Sequence, residues 1–275
     1  MKLDMGRAWD QTTAMIGKSL PLVAIVAALF FFLPNFAFGV LAPQGVPGME
    51  NPDIAQDPEA LMEVLGAYMG QVWWALLLLI LFQYVGQLGL MALFDGSRRP
   101  TLGEALSTGL RMMIPFLIAG LIMNVGLVLL FTVAVGIGGV TGVVALAVLL
   151  GAIALAAMIY ISIKFVLTGP VMAIEGTANP IAALKRSWRL TKGNSARILL
   201  FLFLLGLVYM IASIVLSMFA LLFGLMGEQI AIVAASFVSA LTTAVFLAVF
   251  SVVLVAVYRQ VGGASETGEL EDTFE

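Results

Sequence analysis

The sequence predicts an all-α integral membrane protein with six transmembrane helices and about three amphipathic helices at one membrane face. Three observations predict it. Of the 275 residues, 62% are hydrophobic and 11% charged, where a soluble domain carries roughly 45–50% apolar and about 25% charged residues. Six apolar stretches each reach the roughly 20 residues that a helix needs to cross a bilayer. Twelve of the 13 Lys and Arg fall in only four of the segments outside those stretches. A soluble domain of this size still needs a polar surface, so the bilayer is the solvent that fits.

What is missing narrows the chemistry. With no Cys and no His, disulfides, thiolate nucleophiles, His ligands and Ser-His-Asp catalysis are excluded. Zinc sites built without either residue are uncommon. No cofactor and no metal site is expected. The net charge of −3 matters less than where the charges lie.

Nineteen residues, Asp4 and Asp10 among them, precede the first apolar run. That run continues into Asn35-Phe36-Ala37-Phe38 and not into a small-x-small cleavage site, so it is expected to stay as a span. The six spans are expected over Leu20 to Leu41, Val72 to Phe94, Ile114 to Val135, Val140 to Leu167, Ile198 to Met226 and Ile230 to Val257. Between the first two lies a polar loop with Glu50, Asp53, Asp57, Glu59 and Glu63. Its Asp57-Pro58 step reads as the cap of the helix entering span two, and calcium would need closer carboxylate and Gly spacing. Trp73 and Trp74 mark the interface end of span two. Gly136-Ile137-Gly138-Gly139 predicts a tight turn between spans three and four. The acidic residues 261–275 predict a disordered tail.

The bases fix a direction. Lys2, Arg7 and Lys18 precede span one; Arg98, Arg99 and Arg111 precede span three. Lys185, Arg186, Arg189, Lys192 and Arg197 precede span five, and Arg259 follows span six. The other connections carry no base. Positive charge collects on the cytoplasmic side, which places both ends there.

Three of these basic segments look alike. Met5, Ala8, Trp9, Thr12 and Ile16 form an apolar stripe at helical spacing; so do Leu102, Leu106, Leu110 and Met113, and Ile181, Leu184 and Trp188. Thr101 with Glu104 reads as a capping box, and Asn179-Pro180 as an N-cap with Pro at the first helical position. Ala105, Leu106 and Arg111 match Ala183, Leu184 and Arg189 at one offset, and Trp9 and Lys18 match Trp188 and Arg197 at another. The reading is one membrane domain over residues 1–260, made of three helix-plus-hairpin units at about 1–95, 96–174 and 175–260. An odd number of units in one orientation is not an inverted transporter repeat.

Residues 170–197 read PVMAIEGTANPIAALKRSWRLTKGNSAR. Pro170, Glu175, Ala182, Ala183, Arg186, Ser187, Trp188, Leu190, Thr191, Lys192, Gly193 and Asn194 resemble a pattern in the bacterial family named for the membrane domain of glycerophosphoryl diester phosphodiesterase. The six-span organisation extends the likeness along the chain. The resemblance implies a membrane domain. The catalytic domain of that enzyme is a soluble barrel with paired His and acidic metal ligands, and such a barrel needs about 200 residues or more. This chain has no His and no soluble region of that size, so the enzymatic label is not inherited.

Several residues stand out as sites. Trp9, Lys18, Arg111, Lys185, Arg186, Trp188, Arg189, Lys192 and Arg197 read as interface anchors that set topology, or as contacts for anionic headgroups. Pro170, Glu175, Asn179, Pro180, Ser187, Gly193 and Asn194 are the structural motif, with Glu175 expected to pair with a base of the following helix. Lys164 is the single charge inside a span. If span four ends near Pro170 it snorkels outward, the preferred reading; if the helix runs to Ile174, it lies about 16 Å from Glu175 along the axis and is deep, hence functional by default. Gln83, Gln87 and Asn124 read as bonds across helices, or as part of a polar path. Gly66 with Gly70, and Gly138 with Gly142, read as ordinary close packing.

The functional expectation is a non-enzymatic membrane protein whose basic helices engage anionic phospholipid or a membrane or cytoplasmic protein partner, in a scaffolding, assembly or envelope-maintenance role. The alternative is a transporter or lipid translocator lined by Lys164, Gln83, Gln87 and Asn124. Nothing in the sequence suggests nucleic acid.

Overall fold

The computed structural model describes residues 2–43, 46, 54, 56–95 and 100–274. The regular elements among them are helices, and six are long and apolar enough to cross a membrane. Glu50, Asp53, Arg98 and Arg99 lie outside the described residues.

Helix α1 (Met5–Lys18) starts where the Asp4 carboxylate accepts the Arg7 amide at 3.0 Å. It leads into the first crossing, α2 (Leu20–Leu41), which carries a π-helical turn at Ala27–Phe32. Pro34 has no N–H for the Phe30 carbonyl, and the wider turn absorbs the mismatch. Helix α3 (Pro58–Leu93) begins as the sequence predicts: the Asp57 carboxylate accepts the amides of Glu59 at 2.9 Å and Ala60 at 3.4 Å.

Helix α4 (Leu102–Val140) opens on the expected Thr101–Glu104 capping box. It then departs from expectation. The amphipathic segment before span three is not a separate helix but the first turns of one helix of 39 residues, about 58 Å long. The side chains of Thr108 and Asn124, which could cap a new helix, bond back to Glu104 and Gly120 of the same helix. Propagation needs one bond per residue, and Pro115 inside the helix does not stop it. The turn that follows also lies later than predicted, at Thr141-Gly142-Val143, with Gly142 at φ +67. Gly138 stays helical, and a Cβ there would run into Ala147 of α5 (Val144–Phe165). Gly138 is therefore a packing point and Gly142 a turn, while Gly66 and Gly70 face open space and are not packing points.

After α5 come α6 (Thr168–Glu175), α7 (Pro180–Leu190), α8 (Ser195–Leu222) and α9 (Glu228–Phe274). The backbone of α9 stays helical through 266–274, where the sequence predicts a disordered tail. Extending a formed helix avoids the cost of a new nucleus, and Glu and Leu are good helix formers.

Contacts divide the chain into two compact units, each discontinuous in sequence. The first holds 1–23, 84–208 and 248–275. Its core gathers Leu88, Leu90, Met91, Leu167, Met172, Ile198 and Val252 to Val257. The second holds 24–83 and 209–247. In it Phe32, Phe36 and Phe237 form an aromatic cluster with centroids 5.3 to 6.1 Å apart. Gly39 admits Ser236 where a Cβ would stand 2.9 Å from it.

The amphipathic segments bury only part of each apolar stripe, with small neighbours beside it. Ala8 and Thr12 of α1, Ala105, Gly109 and Met112 of α4, and Ala183, Leu184, Ser187 and Leu190 of α7 are buried. Trp9, Leu110, Ile181 and Trp188 are exposed. Small residues let a helix approach its neighbour closely, and the bulky apolar side chains turn outward. At the offsets noted above, Ala8, Gly109 and Ser187 occupy one register position, and Trp9, Leu110 and Trp188 the next.

Candidate functional site

Pro170 has no N–H for the Val166 carbonyl, and its ring crowds that group. Helix α5 accordingly ends at Phe165, and the chain resumes as α6 at Thr168. The break leaves carbonyls that need donors. The Thr168 hydroxyl donates to the Phe165 carbonyl at 2.6 Å. The Lys164 carbonyl receives the Ser187 hydroxyl at 2.8 Å and the Thr191 hydroxyl at 3.4 Å. Both donors are buried, one turn apart on α7 and its C-cap.

The rest of the motif holds α7 in place. Gly176, at φ +70, ends α6. The Asn179 side chain caps α7 by accepting the amides of Ile181 and Ala182 at 3.0 and 3.2 Å, with Pro180 at the first position. Glu175 accepts the Arg186 Nε at 3.1 Å, the pairing the sequence predicts, and also the Tyr258 hydroxyl at 2.7 Å. Gly193, at φ +82, turns the chain toward α8. Asn194 accepts the Leu3 amide at 2.8 Å, and the Arg197 guanidinium donates to the Leu3 carbonyl at 3.0 Å. The motif is therefore a clasp that joins α5, α6, α7, α9 and the segment before α1.

Residues 141–261 match the family model described as the membrane domain of glycerophosphoryl diester phosphodiesterase. The clasp lies within that match, which is to a membrane domain and covers α5 to the middle of α9. It is the family that residues 170–197 resemble. No curated protein and no solved structure matches the chain.

Lys164 corrects an expectation. It does not snorkel: the residue is only 3% exposed. Its Nζ lies 5.2 Å from the centroid of the Tyr160 ring and 5.5 Å from that of Trp188. The helix breaks one residue later, so α5 brings the ammonium against α7 and not toward water. The two ring faces replace part of its hydration. Phe165 packs on the same indole, with centroids 5.4 Å apart.

The outward face of α7 carries the bases. Lys185 and Arg189 are exposed on either side of Trp188, which is 40% exposed, and the three line an open cavity of about 450 Å³. Lys192 and Trp9 are also exposed. Lys18 lines a second cavity of about 620 Å³ with Asp95 and Arg259, and the Arg259 guanidinium donates to the Phe94 carbonyl. Arg111 lines a third, of about 440 Å³, with Asp95, Glu104 and Glu175. Neither of those two cavities is visible in the sequence, because each draws on segments far apart in the chain.

The intramembrane amides sit on two helices. Gln83 and Gln87 are half-buried on α3. Asn124 is exposed, and its amide donates to Gly120 of its own helix at 2.8 Å. The sequence expects a bond across helices from Asn124, and its amide instead bonds one turn back, as short polar side chains in helices can.

Proposed function

We propose that this chain is a non-enzymatic bacterial inner-membrane protein, with both ends in the cytoplasm, whose basic interfacial helices hold anionic phospholipid headgroups. It serves a scaffolding, assembly or envelope-maintenance role, alone or with a membrane or cytoplasmic protein partner. The observation that carries this reading is the outward face of α7. Trp188 stands exposed between Lys185 and Arg189, while the inward face is occupied by the clasp. An indole flanked by bases suits the headgroup layer, and each base there contributes about 1 kcal/mol toward an anionic surface.

Two further observations support it. The shared register of Ala8, Gly109 and Ser187, each followed by an exposed bulky residue, favours the three units at 1–95, 96–174 and 175–260. The segregation of the bases favours cytoplasmic ends. The phosphodiesterase named in the family description keeps its own activity, and a chain without His is read here as lacking it. No observation favours a translocation path, since Asn124 turns back on its own helix.

Native mass spectrometry of the purified chain in mixed micelles tests the reading. Phosphatidylglycerol is expected to be retained over phosphatidylcholine, and the preference to fall when Lys185, Arg189 and Lys192 are changed to Gln. Equal retention of the two lipids by the unaltered protein overturns it.

A further inference from the structure

Lys164 is a base without an acid. Its ammonium is buried, and among the described residues it meets two aromatic rings and no carboxylate. The nearest carboxylate along the chain, Glu175, is engaged by Arg186 and Tyr258. A desolvated ammonium held only by ring faces recovers part of its lost hydration, and an anion close by would recover more.

Trp188 links that ammonium to the surface. One indole both meets the Lys164 Nζ at 5.5 Å and walls the cavity that Lys185 and Arg189 complete. No carboxylate lines this cavity. Three cations thus gather around one ring, two at the opening and one behind. A phosphodiester headgroup brings a single negative charge to such a place. A phosphomonoester brings about −1.5 to −2 at neutral pH and three acceptor oxygens, and the guanidinium of Arg189 suits bidentate contact with it.

We propose that the Trp188 cavity binds a phosphomonoester, the headgroup chemistry of phosphatidic acid. Lys185 and Arg189 meet its oxygens, and Lys164 adds attraction through the indole. The proposal rests on the headgroup reading above and goes further by choosing the charge state of the phosphate.

Phosphatidic acid and phosphatidylmethanol share acyl chains and differ by one methyl ester, hence by about one charge. The full chain in mixed micelles carrying one or the other is expected to bind phosphatidic acid about fivefold more tightly, the effect of one added charge near a base. Lys164→Met is expected to lower that ratio, with Lys185 and Arg189 still holding part of it, and Lys164→Arg to restore it. Lys185→Gln and Arg189→Gln, both exposed, are expected to reduce it without disturbing the fold. Equal binding of the two phosphatidyl lipids, with phosphatidylglycerol still preferred over phosphatidylcholine, overturns this inference and leaves the headgroup reading standing. Loss of both preferences removes both. Displacement of phosphatidic acid by millimolar inorganic phosphate overturns the lipid assignment and gives the cavity to a soluble phosphomonoester.

Discussion

The Ser187 hydroxyl donates to the Lys164 carbonyl at 2.8 Å, across 23 residues of chain. The bond caps the end of a helix that Pro170 has broken, and it fixes α7 so that the next residue, Trp188, faces outward. A buried carbonyl left without its donor costs about 1–3 kcal/mol. Ser187→Ala is therefore expected to destabilise the detergent-solubilised protein by an amount in that range, read as a lower thermal midpoint and softened by the longer bond from Thr191. An unchanged midpoint would show that the clasp does not depend on this hydroxyl.

Gly193 sits at φ +82 with nothing within 4 Å of where a Cβ would be. Only backbone strain opposes a side chain there. Gly193→Ala is expected to cost about 1–2 kcal/mol, and Gly193→Asn less, because Asn tolerates the left-handed conformation. Thermal unfolding of the two variants side by side measures the difference; equal losses would point to a role beyond the turn.

Gly138 and Gly139 are neighbours with opposite surroundings. A Cβ on Gly138 meets the backbone of Ala147, while one on Gly139 meets nothing within 4 Å. Gly138→Ala is expected to force α4 and α5 apart at a cost of about 1–3 kcal/mol. Gly139→Ala is expected to be neutral or slightly stabilising, because Ala is the better helix former. Melting curves that rank the pair the other way would contradict the close approach.

The chain contains no Cys, so single introduced thiols report its orientation directly. Lys192→Cys and Glu59→Cys both fall at exposed positions. An impermeant maleimide applied to intact cells is expected to label Glu59→Cys and to reach Lys192→Cys only after the membrane is opened. The opposite pattern would invert the proposed topology.

Most of the architecture was legible because it follows from one-dimensional quantities. A crossing needs a length of apolar chain, and all six crossings lie where that length occurs. Caps are local too, so Asp57, Thr101 and Asn179 were readable from their neighbours. Breaks and burial were harder. Gly136 to Gly139 look like a turn in sequence, yet Gly138 is taken up by a close approach to Ala147 and the turn falls at Gly142. Trp9 and Trp188 read as interface residues in sequence and are exposed, but the stripes do not say which of their members a neighbouring helix covers, and these are Ala8, Thr12 and Leu184. Lys164 was misread for a related reason. Its depth was weighed along α5 alone, and the ring of Trp188 arrives from α7, 24 positions further on in the sequence.

The hold of Asn194 and Arg197 on Leu3 spans more than 190 residues, and that of Gln260 on Asp4 spans 256. A ribosome adds about 5–20 residues each second, so the earliest part of the chain waits some tens of seconds for the parts that will grip it. During that interval the bonds that hold Leu3 and Asp4 are unmade. The clasp is thus a closing stitch: an assembly that lacks it is an unfinished copy, open to any quality-control protease that searches the membrane face for a loose end.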